Sequence, residues 1–293
     1  MSFLLSAALF LAMPQPAVAG QPSTLDAEIR AIIAGSGAEV AVAFRTVDGR
    51  DELLIDPDKV FHAASTMKVP VMIELFRQAG KGALSLEEKL PIRNRFKSIV
   101  DGSPYKLSEG DDSDKEIYAA VGKSLTLRQL CEAMITVSSN FATNLLIERL
   151  GVEKIRNTVT RLGADGMQVL RGVEDQKAFD KGLNNSTTAR ALLVLFQKLA
   201  TGQAVTATSD AAMIDTLKRQ KFNEAIPAGV PAGTPVAHKT GNITRIHHDA
   251  GIVYAPRPYV LVILVRGIPD QKVSAPLMST ISAAVYQHSQ ALR

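Results

Sequence analysis

Three short strings of polar and reactive side chains stand in order along the chain: Ser65-Thr66-Met67-Lys68, Ser138-Ser139-Asn140 and Lys239-Thr240-Gly241. A serine hydroxyl becomes a useful nucleophile only when a base removes its proton. Lys68 follows Ser65 by three residues, a spacing that places both side chains on one face of a helix. Taken together, the strings predict an acyl-transfer site with Ser65 as the nucleophile and Lys68 as its base.

The first string needs a particular setting to do this chemistry. Burial and a neighbouring cation, for which Lys239 is the candidate, would lower the pKa of Lys68 enough for it to accept a proton. The N-terminus of the helix would add a field that favours developing negative charge, by about 0.3–1 kcal/mol. Taken alone, the string is more often a helix cap followed by a solvated lysine.

The second string lies between two predicted helices. Ser138 is positioned to relay a proton to the leaving nitrogen, and Asn140 to hydrogen-bond a substrate amide. Serine and asparagine are also good helix caps, and this simpler interpretation is favoured for the string in isolation.

The third string lies on a predicted strand. Lys239 offers a positive charge and Thr240 a hydroxyl to a substrate carboxylate, and Gly241 lets the ligand approach the backbone. The backbone N–H of Asn242, with that of Ser65, predicts an oxyanion hole, whose loss typically costs about 10²–10³ in rate. The alternative is a strand that turns at a glycine.

The elements that must position these strings follow from the hydrophobic pattern. Helices are predicted in the middle of the chain and at its end, over 65–78, 127–137, 141–150, 153–162, 189–200, 209–219 and 276–292. Strands are predicted towards both ends, over 40–47, 53–55, 236–243, 250–254 and 259–265. Ser209-Asp210 is expected to cap the helix that it opens.

This order predicts an α/β (α+β) fold. The terminal strands form one antiparallel sheet packed by the N- and C-terminal helices, and the central helices form a second lobe. We expect the α/β lobe at about 24–64 and 206–293 and the helical lobe at about 65–205, with the three strings meeting in the cleft between them.

The N-terminal segment has the features of an export signal. Phe3 to Met13 is apolar except for Ser6, and Ala17-Val18-Ala19 offers small residues for cleavage before Gly20. No Lys or Arg precedes the apolar run. An uncleaved anchor is the alternative, but about eleven residues are too few to span a bilayer. We expect a signal peptide at 1–19, a mature domain at 20–293 and a periplasmic or secreted protein.

Composition excludes several other classes. The net charge of +4 comes without a cluster of Lys and Arg interleaved with aromatic residues, so a nucleic-acid partner is not expected. The single cysteine, Cys131, lies in an apolar helical pattern and is expected to be a buried, unreactive thiol. His247 and His248 would point to opposite faces of a strand, so we expect no metal and no cofactor.

The three strings and their flanking segments resemble those of the class A β-lactamase and penicillin-binding protein superfamily, over nearly all of the mature chain. The flanks are Phe61-His62-Ala63-Ala64 before the nucleophile, 127–143 around the second string, and His238 before the third. The resemblance implies an α/β lobe plus a helical lobe. It implies that Ser65 is acylated, that Lys68 is its base, that Ser138 shuttles a proton, and that Lys239 and Thr240 bind the carboxylate.

The chain departs from the family in the loop that controls deacylation. Class A enzymes carry Glu-x-x-Leu-Asn there, with the Glu and Asn holding the deacylating water. Here Glu174 is the nearest candidate for the Glu, and Lys177-Ala178 replace Leu-Asn. Asn185 stands where the family usually has an Asp that forms an ion pair across the loop.

The second string also departs from the family, because Ser139 stands where Asp is usual. Its distance from Ser65 is lengthened by an insertion over 106–118, within which the acidic segment 108–114 is expected to be a mobile loop. Acylation is therefore better supported by the sequence than deacylation.

We expect an exported serine hydrolase that opens β-lactam amides through an acyl-enzyme. The alternatives are a D-alanyl-D-alanine peptidase that releases penicillin slowly, and a β-lactam-binding module without turnover. The expected partner is a small molecule, a β-lactam or a peptidoglycan stem peptide, and we expect the protein to be a monomer.

Overall fold

The structure, a computed structural model, describes residues 24–291, so the predicted signal peptide at 1–19 lies outside the described residues. Its main sheet has five antiparallel strands in the order β2-β1-β11-β10-β9. The strands are β1 (Glu39–Thr46), β2 (Glu52–Ile55), β3 (Phe61–His62), β4 (Lys89–Pro91), β5 (Phe96–Lys97), β6 (Pro104–Tyr105), β7 (Ser124–Thr126), β8 (Ser186–Thr187), β9 (Val236–Ile243), β10 (Ile246–Val253) and β11 (Tyr259–Arg266).

The α-helices of the described residues lie between and around these strands. They are α1 (Thr24–Ala34), α2 (Lys68–Gly80), α3 (Leu127–Thr136), α4 (Asn140–Leu150), α5 (Val152–Arg161), α6 (Gln176–Asp180), α7 (Ala189–Ala200), α8 (Ala207–Leu217) and α9 (Gln271–Ala291). None of them is long and apolar enough to cross a membrane.

The sheet is apolar on both faces because it separates two hydrophobic clusters. Successive side chains of a strand point to opposite faces. Val42 and Phe44 accordingly pack with α1 and α9, and Ala41 and Ala43 face the larger cluster around α2 and α7. The N- and C-terminal helices thus cover one face, as the sequence predicts.

The helical lobe is built around α2, which packs against α3, α4, α5 and α8. The turn between α3 and α4 carries the second string, and β9 at the edge of the sheet carries the third. The mixed architecture that the sequence predicts, an antiparallel sheet plus a helical lobe, is confirmed.

Several predicted boundaries are wrong. The cap of α8 is Thr206, whose hydroxyl accepts the Ser209 N–H, and the Asp210 carboxylate instead accepts the N–H groups of residues 204 and 205. Helix α9 begins at Gln271, five residues before the prediction, and Pro276 lies inside it. Strand β10 begins at Ile246 rather than at residue 250. The error at β10 arises where tertiary pairing extends a strand past the point at which its local pattern is clear.

Candidate active site

Ser65 lies between the lobes, in a 3-10 turn (Ala64–Met67) that leads directly into α2. Residues at i and i+3 of such a turn are nearly eclipsed, so Ser65 and Lys68 share a face. Ala64 has a positive φ of 45°, uncommon for a residue with a side chain. Ser65 lines two cavities of about 270 and 490 Å³ and so stands where they meet.

Lys68 is fully buried, which excludes the solvated lysine of the simpler interpretation. Its Nζ donates to the Ser138 carbonyl oxygen at 2.6 Å, to Ser138 Oγ at 3.1 Å and to Asn140 Oδ1 at 2.8 Å. Within the described residues, Ser65 Oγ is not among its hydrogen-bond partners. The amine is therefore directed at the second string, with the nucleophile on the same face.

Ser138 lies between two lysines. Its Oγ receives Lys239 Nζ at 3.0 Å as well as Lys68 Nζ at 3.1 Å, and Lys239 Nζ also donates to the Thr240 carbonyl oxygen at 3.0 Å. Ser138 has a φ of 58°. Strained backbone of this kind concentrates at functional sites. The three side chains form one hydrogen-bonded row along which a proton can move.

Burial lowers the pKa of Lys68 to about 7, against the opposing negative charges of Asp112 and Glu174. Burial, with the neighbouring charge of Lys68, lowers the pKa of Lys239 well below its usual value. The sequence predicts that burial and the charge of Lys239 lower the pKa of Lys68. Burial is the first cause, but Lys239 is not among the causes, and the effect of charge runs from Lys68 onto Lys239. A substrate carboxylate beside Lys239 would restore the charge of that amine.

Gly241 brings β9 against the backbone of the nucleophile. A Cβ placed on Gly241 would lie 3.2 Å from Ser65 N, 3.2 Å from Ala64 Cβ and 3.1 Å from Thr66 Cγ2. A side chain at this position would therefore require its neighbours to shift by a few tenths of an ångström. Asn242 follows at the mouth of both cavities, and Thr240 lines the larger one.

Glu174 faces the smaller cavity together with Ser65. Its Oε1 accepts a 2.6 Å hydrogen bond from Asn140 Nδ2, so Asn140 bridges Glu174 and Lys68. Glu174 has a φ of 60°. Burial raises the pKa of its carboxyl, with the charges of Asp112 and Asp111 adding to the effect. A carboxylate with a raised pKa is a better general base near neutral pH.

The loop that carries Glu174 is held without the family's ion pair. Asn185 uses its amide instead: Oδ1 accepts the N–H groups of residues 170 and 171, and Nδ2 donates to the Arg171 carbonyl oxygen. The buried Asp175 carboxylate accepts from Ser98 Oγ and the Ile99 N–H, and tethers the loop to the opposite wall. Lys177 points outward to Asp101, so it does not replace the missing asparagine near Glu174.

The residue that the sequence analysis passed over is Asp112. The acidic segment 108–114 was predicted to be a mobile loop, but Asp112 is only 4% exposed and its carboxylate accepts the backbone N–H groups of Asn140 and Phe141. The signal was present in the sequence, because a family carboxylate is missing at Ser139 and the inserted segment is rich in carboxylates.

Among residues 24–291 no three His, Cys, Asp or Glu side chains are grouped to hold a metal ion. His247 bonds to Ser274 Oγ and His248 to the His62 carbonyl oxygen. Burial raises the pKa of Cys131 to about 12, which keeps this thiol unreactive at neutral pH.

Comparisons with known proteins agree with this geometry. A family model described as the β-lactamase enzyme family matches residues 24–289. The extended-spectrum β-lactamase PER-1 of Pseudomonas aeruginosa is 25% identical over 284 residues, covering 91% of this chain and 88% of the relative.

Two solved structures have similar folds. A β-lactamase of Sphaerobacter thermophilus has a TM-score of 0.79 and 25% identity, covering 92% of this chain and 98% of that one. A mutant of PBP-A, solved as its acyl-enzyme complex with penicillin G, has a TM-score of 0.77 and 26% identity, covering 92% and 97%.

Proposed function

The chain belongs to the β-lactamase enzyme family, and from that premise we propose that it hydrolyses the β-lactam amide bond through an acyl-enzyme on Ser65. Family membership makes it a serine hydrolase of this fold, and the substrate, the intermediate and the residue roles are our proposal.

In the acylation step Ser65 Oγ attacks the lactam carbonyl carbon, and neutral Lys68 accepts the hydroxyl proton. The negative charge that develops on the carbonyl oxygen is stabilised by the backbone N–H groups of Ser65 and Asn242. The C–N bond then breaks, and the proton reaches the leaving nitrogen through Ser138 Oγ. The row from Lys68 through Ser138 to Lys239 supports this route.

In the deacylation step Glu174 removes a proton from a water, which attacks the ester carbonyl carbon. The bond from that carbon to Ser65 Oγ then breaks, and the proton passes from Glu174 to Ser65 Oγ. Asn140 holds the Glu174 carboxylate towards the site, and Lys239 with Thr240 binds the substrate carboxylate. The acyl side chain would occupy the smaller cavity, whose rim carries Phe179 and Ile243, both partly exposed.

One observation favours turnover over a dead-end adduct. The hydrogen bond from Asn140 Nδ2 to Glu174 Oε1 holds a half-buried carboxylate of raised pKa on the cavity that Ser65 lines. Rapid release of a penicillin ester needs a base that activates a water near Ser65, and this contact supports Glu174 as that base. This contact therefore makes β-lactam hydrolysis the better-supported function.

A D-alanyl-D-alanine peptidase is the second candidate. It is favoured by the likeness to PBP-A and by Lys177-Ala178, which supply no second amide to hold the water beside Glu174. Such an enzyme would keep penicillin bound as a long-lived ester.

Substitution of Glu174 separates the two candidates. If Glu174 is the deacylation base, Glu174→Gln will still be acylated by penicillin but will accumulate the adduct, with hydrolysis slowed about 10²–10⁴-fold. Ser65→Ala is the control and should form no adduct. Equal hydrolysis by Glu174→Gln and the unaltered protein would remove Glu174 from the mechanism.

We further propose that the protein is exported, with cleavage before Gly20, and acts as a monomer on a small molecule. The apolar N-terminal run and its small-residue cleavage site support export. N-terminal sequencing of the periplasmic protein tests the cleavage site, and sedimentation tests the monomer.

A further inference from the structure

The start of α4 is the point at which the second string meets the rest of the site. The first backbone N–H groups of a helix have no partner within the helix and must be satisfied by other groups. Ser139, the N-cap residue, accepts only the Ala142 N–H with its hydroxyl, at 3.2 Å. The N–H groups of Asn140 and Phe141 are left for another acceptor.

That acceptor comes from the inserted loop. Asp112 Oδ1 accepts the Asn140 N–H at 3.0 Å, and Oδ2 accepts the Phe141 N–H at 2.9 Å. The carboxylate also receives the Asp114 N–H at 3.1 Å on Oδ1 and the Tyr118 hydroxyl at 3.2 Å on Oδ2. Four donors thus fix a carboxylate that is 4% exposed.

We propose that Asp112 is a positioning residue: from the inserted loop it supplies the carboxylate that Ser139 lacks, and it holds Asn140 where its amide bridges Lys68 and Glu174. This inference rests on the proposed function. Asp112 would not touch the substrate, and it acts through Asn140 and through its charge.

Asn140 is held both by its side chain and by its backbone. Its side chain accepts from Lys68 Nζ at 2.8 Å and donates to Glu174 Oε1 at 2.6 Å, while its backbone N–H is held by Asp112. A second tether joins the same loop to the same turn, because Ser113 Oγ donates to the Val137 carbonyl oxygen at 2.7 Å. The loop is therefore part of the frame that orients the base and the amine.

The negative charge of Asp112 also acts on Lys68. The negative charges of Asp112 and Glu174 act on its amine and oppose the lowering of its pKa by burial, and the neighbouring Lys239 amine shares Ser138 Oγ with it. Loss of the Asp112 charge would lower the pKa of Lys68 further. If neutral Lys68 is the acylation base, the acylation rate falls at low pH as Lys68 is protonated. This falling part of the pH–rate profile, the acid limb, then moves to lower pH.

The test is the rate constant for acylation by penicillin, measured from pH 5 to 9 by rapid quench and intact mass, in Asp112→Asn. Each carboxylate oxygen of Asp112 faces a backbone N–H, so the amide NH₂ of the variant must face one of them. We expect a loss of about 10²-fold, typical of misplaced catalytic groups, and an acid limb at lower pH.

Two further variants separate geometry from charge and from general damage to the loop. Asp112→Glu keeps the negative charge but moves the carboxylate oxygens away from the N–H groups of Asn140 and Phe141. The acylation rate of this variant should fall, while the acid limb of its pH–rate profile stays in place. Glu116→Gln is the control, because Glu116 is an exposed carboxylate of the same insertion and, unlike Asp112 and Asp114, has no side-chain hydrogen bond to the second string among the described residues. It should stay within about threefold of the unaltered protein.

Rates for Asp112→Asn within threefold of the unaltered protein at every pH would overturn the proposal. So would an equal loss in Asp112→Asn and Glu116→Gln with the low-pH part of both profiles unmoved. Should Asp112→Asn fail to fold, Asp112→Glu decides the question by the same comparison of rate and limb. An unaltered protein that forms no adduct would refute the proposed function, which is a distinguishable result.

Discussion

The pH dependence of acylation is the prediction that the geometry of Lys68 makes most sharply. Lys68 is fully buried, and its pKa is lowered from the ordinary lysine value of 10.5 to about 7. Its neutral form, which accepts the Ser65 proton, is the deprotonated one. The rate of acylation must therefore rise with pH through this pKa.

The magnitude follows from the fraction of neutral amine. With a pKa of about 7, that fraction is about one tenth at pH 6 and about nine tenths at pH 8. Acylation should therefore rise about tenfold between pH 6 and pH 8 and then level off. An ordinary lysine would still be almost wholly protonated at pH 8 and would give a rate that climbs through pH 9.

The assay is single-turnover acylation by a penicillin, with the adduct on Ser65 counted by intact mass after rapid quenching, so that deacylation does not enter the rate. Lys68→Arg is the companion variant, because a guanidinium stays protonated at these pH values. It should lose about 10²–10⁴ in rate, the usual contribution of a general base. A thermal unfolding curve checks that the variant is folded.

Two results would refute the reasoning. A rate independent of pH between 6 and 8 would mean that Lys68 is not the group that titrates, and Glu174 or another base would then have to accept the proton. A rate still rising above pH 9 would mean that the burial of Lys68 does not lower its pKa as the structure implies.

Three further predictions concern the other parts of the site. Gly241→Ala should slow acylation by up to about 10²-fold without unfolding the protein. The added Cβ would lie 3.2 Å from Ser65 N and push β9 away from the oxyanion site. A normal rate of acylation would exclude that effect. Ser138→Ala should slow acylation about 10²–10⁴-fold in the quenched-flow assay, and an unchanged rate would show that protons take another path. Asp175→Asn should lower the free energy of unfolding by about 1–3 kcal/mol in a urea titration. It should also slow deacylation more than acylation, because Asp175 anchors the loop next to Glu174. Equal effects on both steps would count against this role.

The fold was largely predictable from the sequence because its elements have strong local signals. The apolar run of β1 and the Asp48-Gly49 turn that follows it predict a hairpin, and β2 pairs with β1. The confirmed fold class follows from strands at both ends of the chain, whereas the order of the strands in the sheet was not predicted. The start of α9 could not be predicted, because Pro276 is a usual mark of a first turn and here lies inside the helix.

The site was predictable where chemistry depends on residue type and short spacing. The three strings come together because the first two lie at the ends of helices and the third lies on β9, the edge strand of the sheet. The residues brought together are Ser65, Lys68, Ser138, Asn140 and Lys239. Their catalytic roles remain predictions.

The missed residues are those whose contacts link segments far apart in sequence. Asp112 lies 28 residues from the Asn140 N–H that it binds, and no local pattern shows which of several acidic side chains in a loop will be buried. For the same reason, the sequence could name Glu174 but could not place it beside Asn140, 34 residues away.

The measurement that tests the central claim most directly is the intact mass of the protein, sampled over time after mixing with a small excess of penicillin, with free drug followed in parallel. We predict an adduct on Ser65 that disappears as the drug is consumed in the unaltered protein, and an adduct that persists in Glu174→Gln. A persistent adduct in the unaltered protein, with most of the drug intact, would contradict β-lactam turnover and favour a penicillin-binding peptidase.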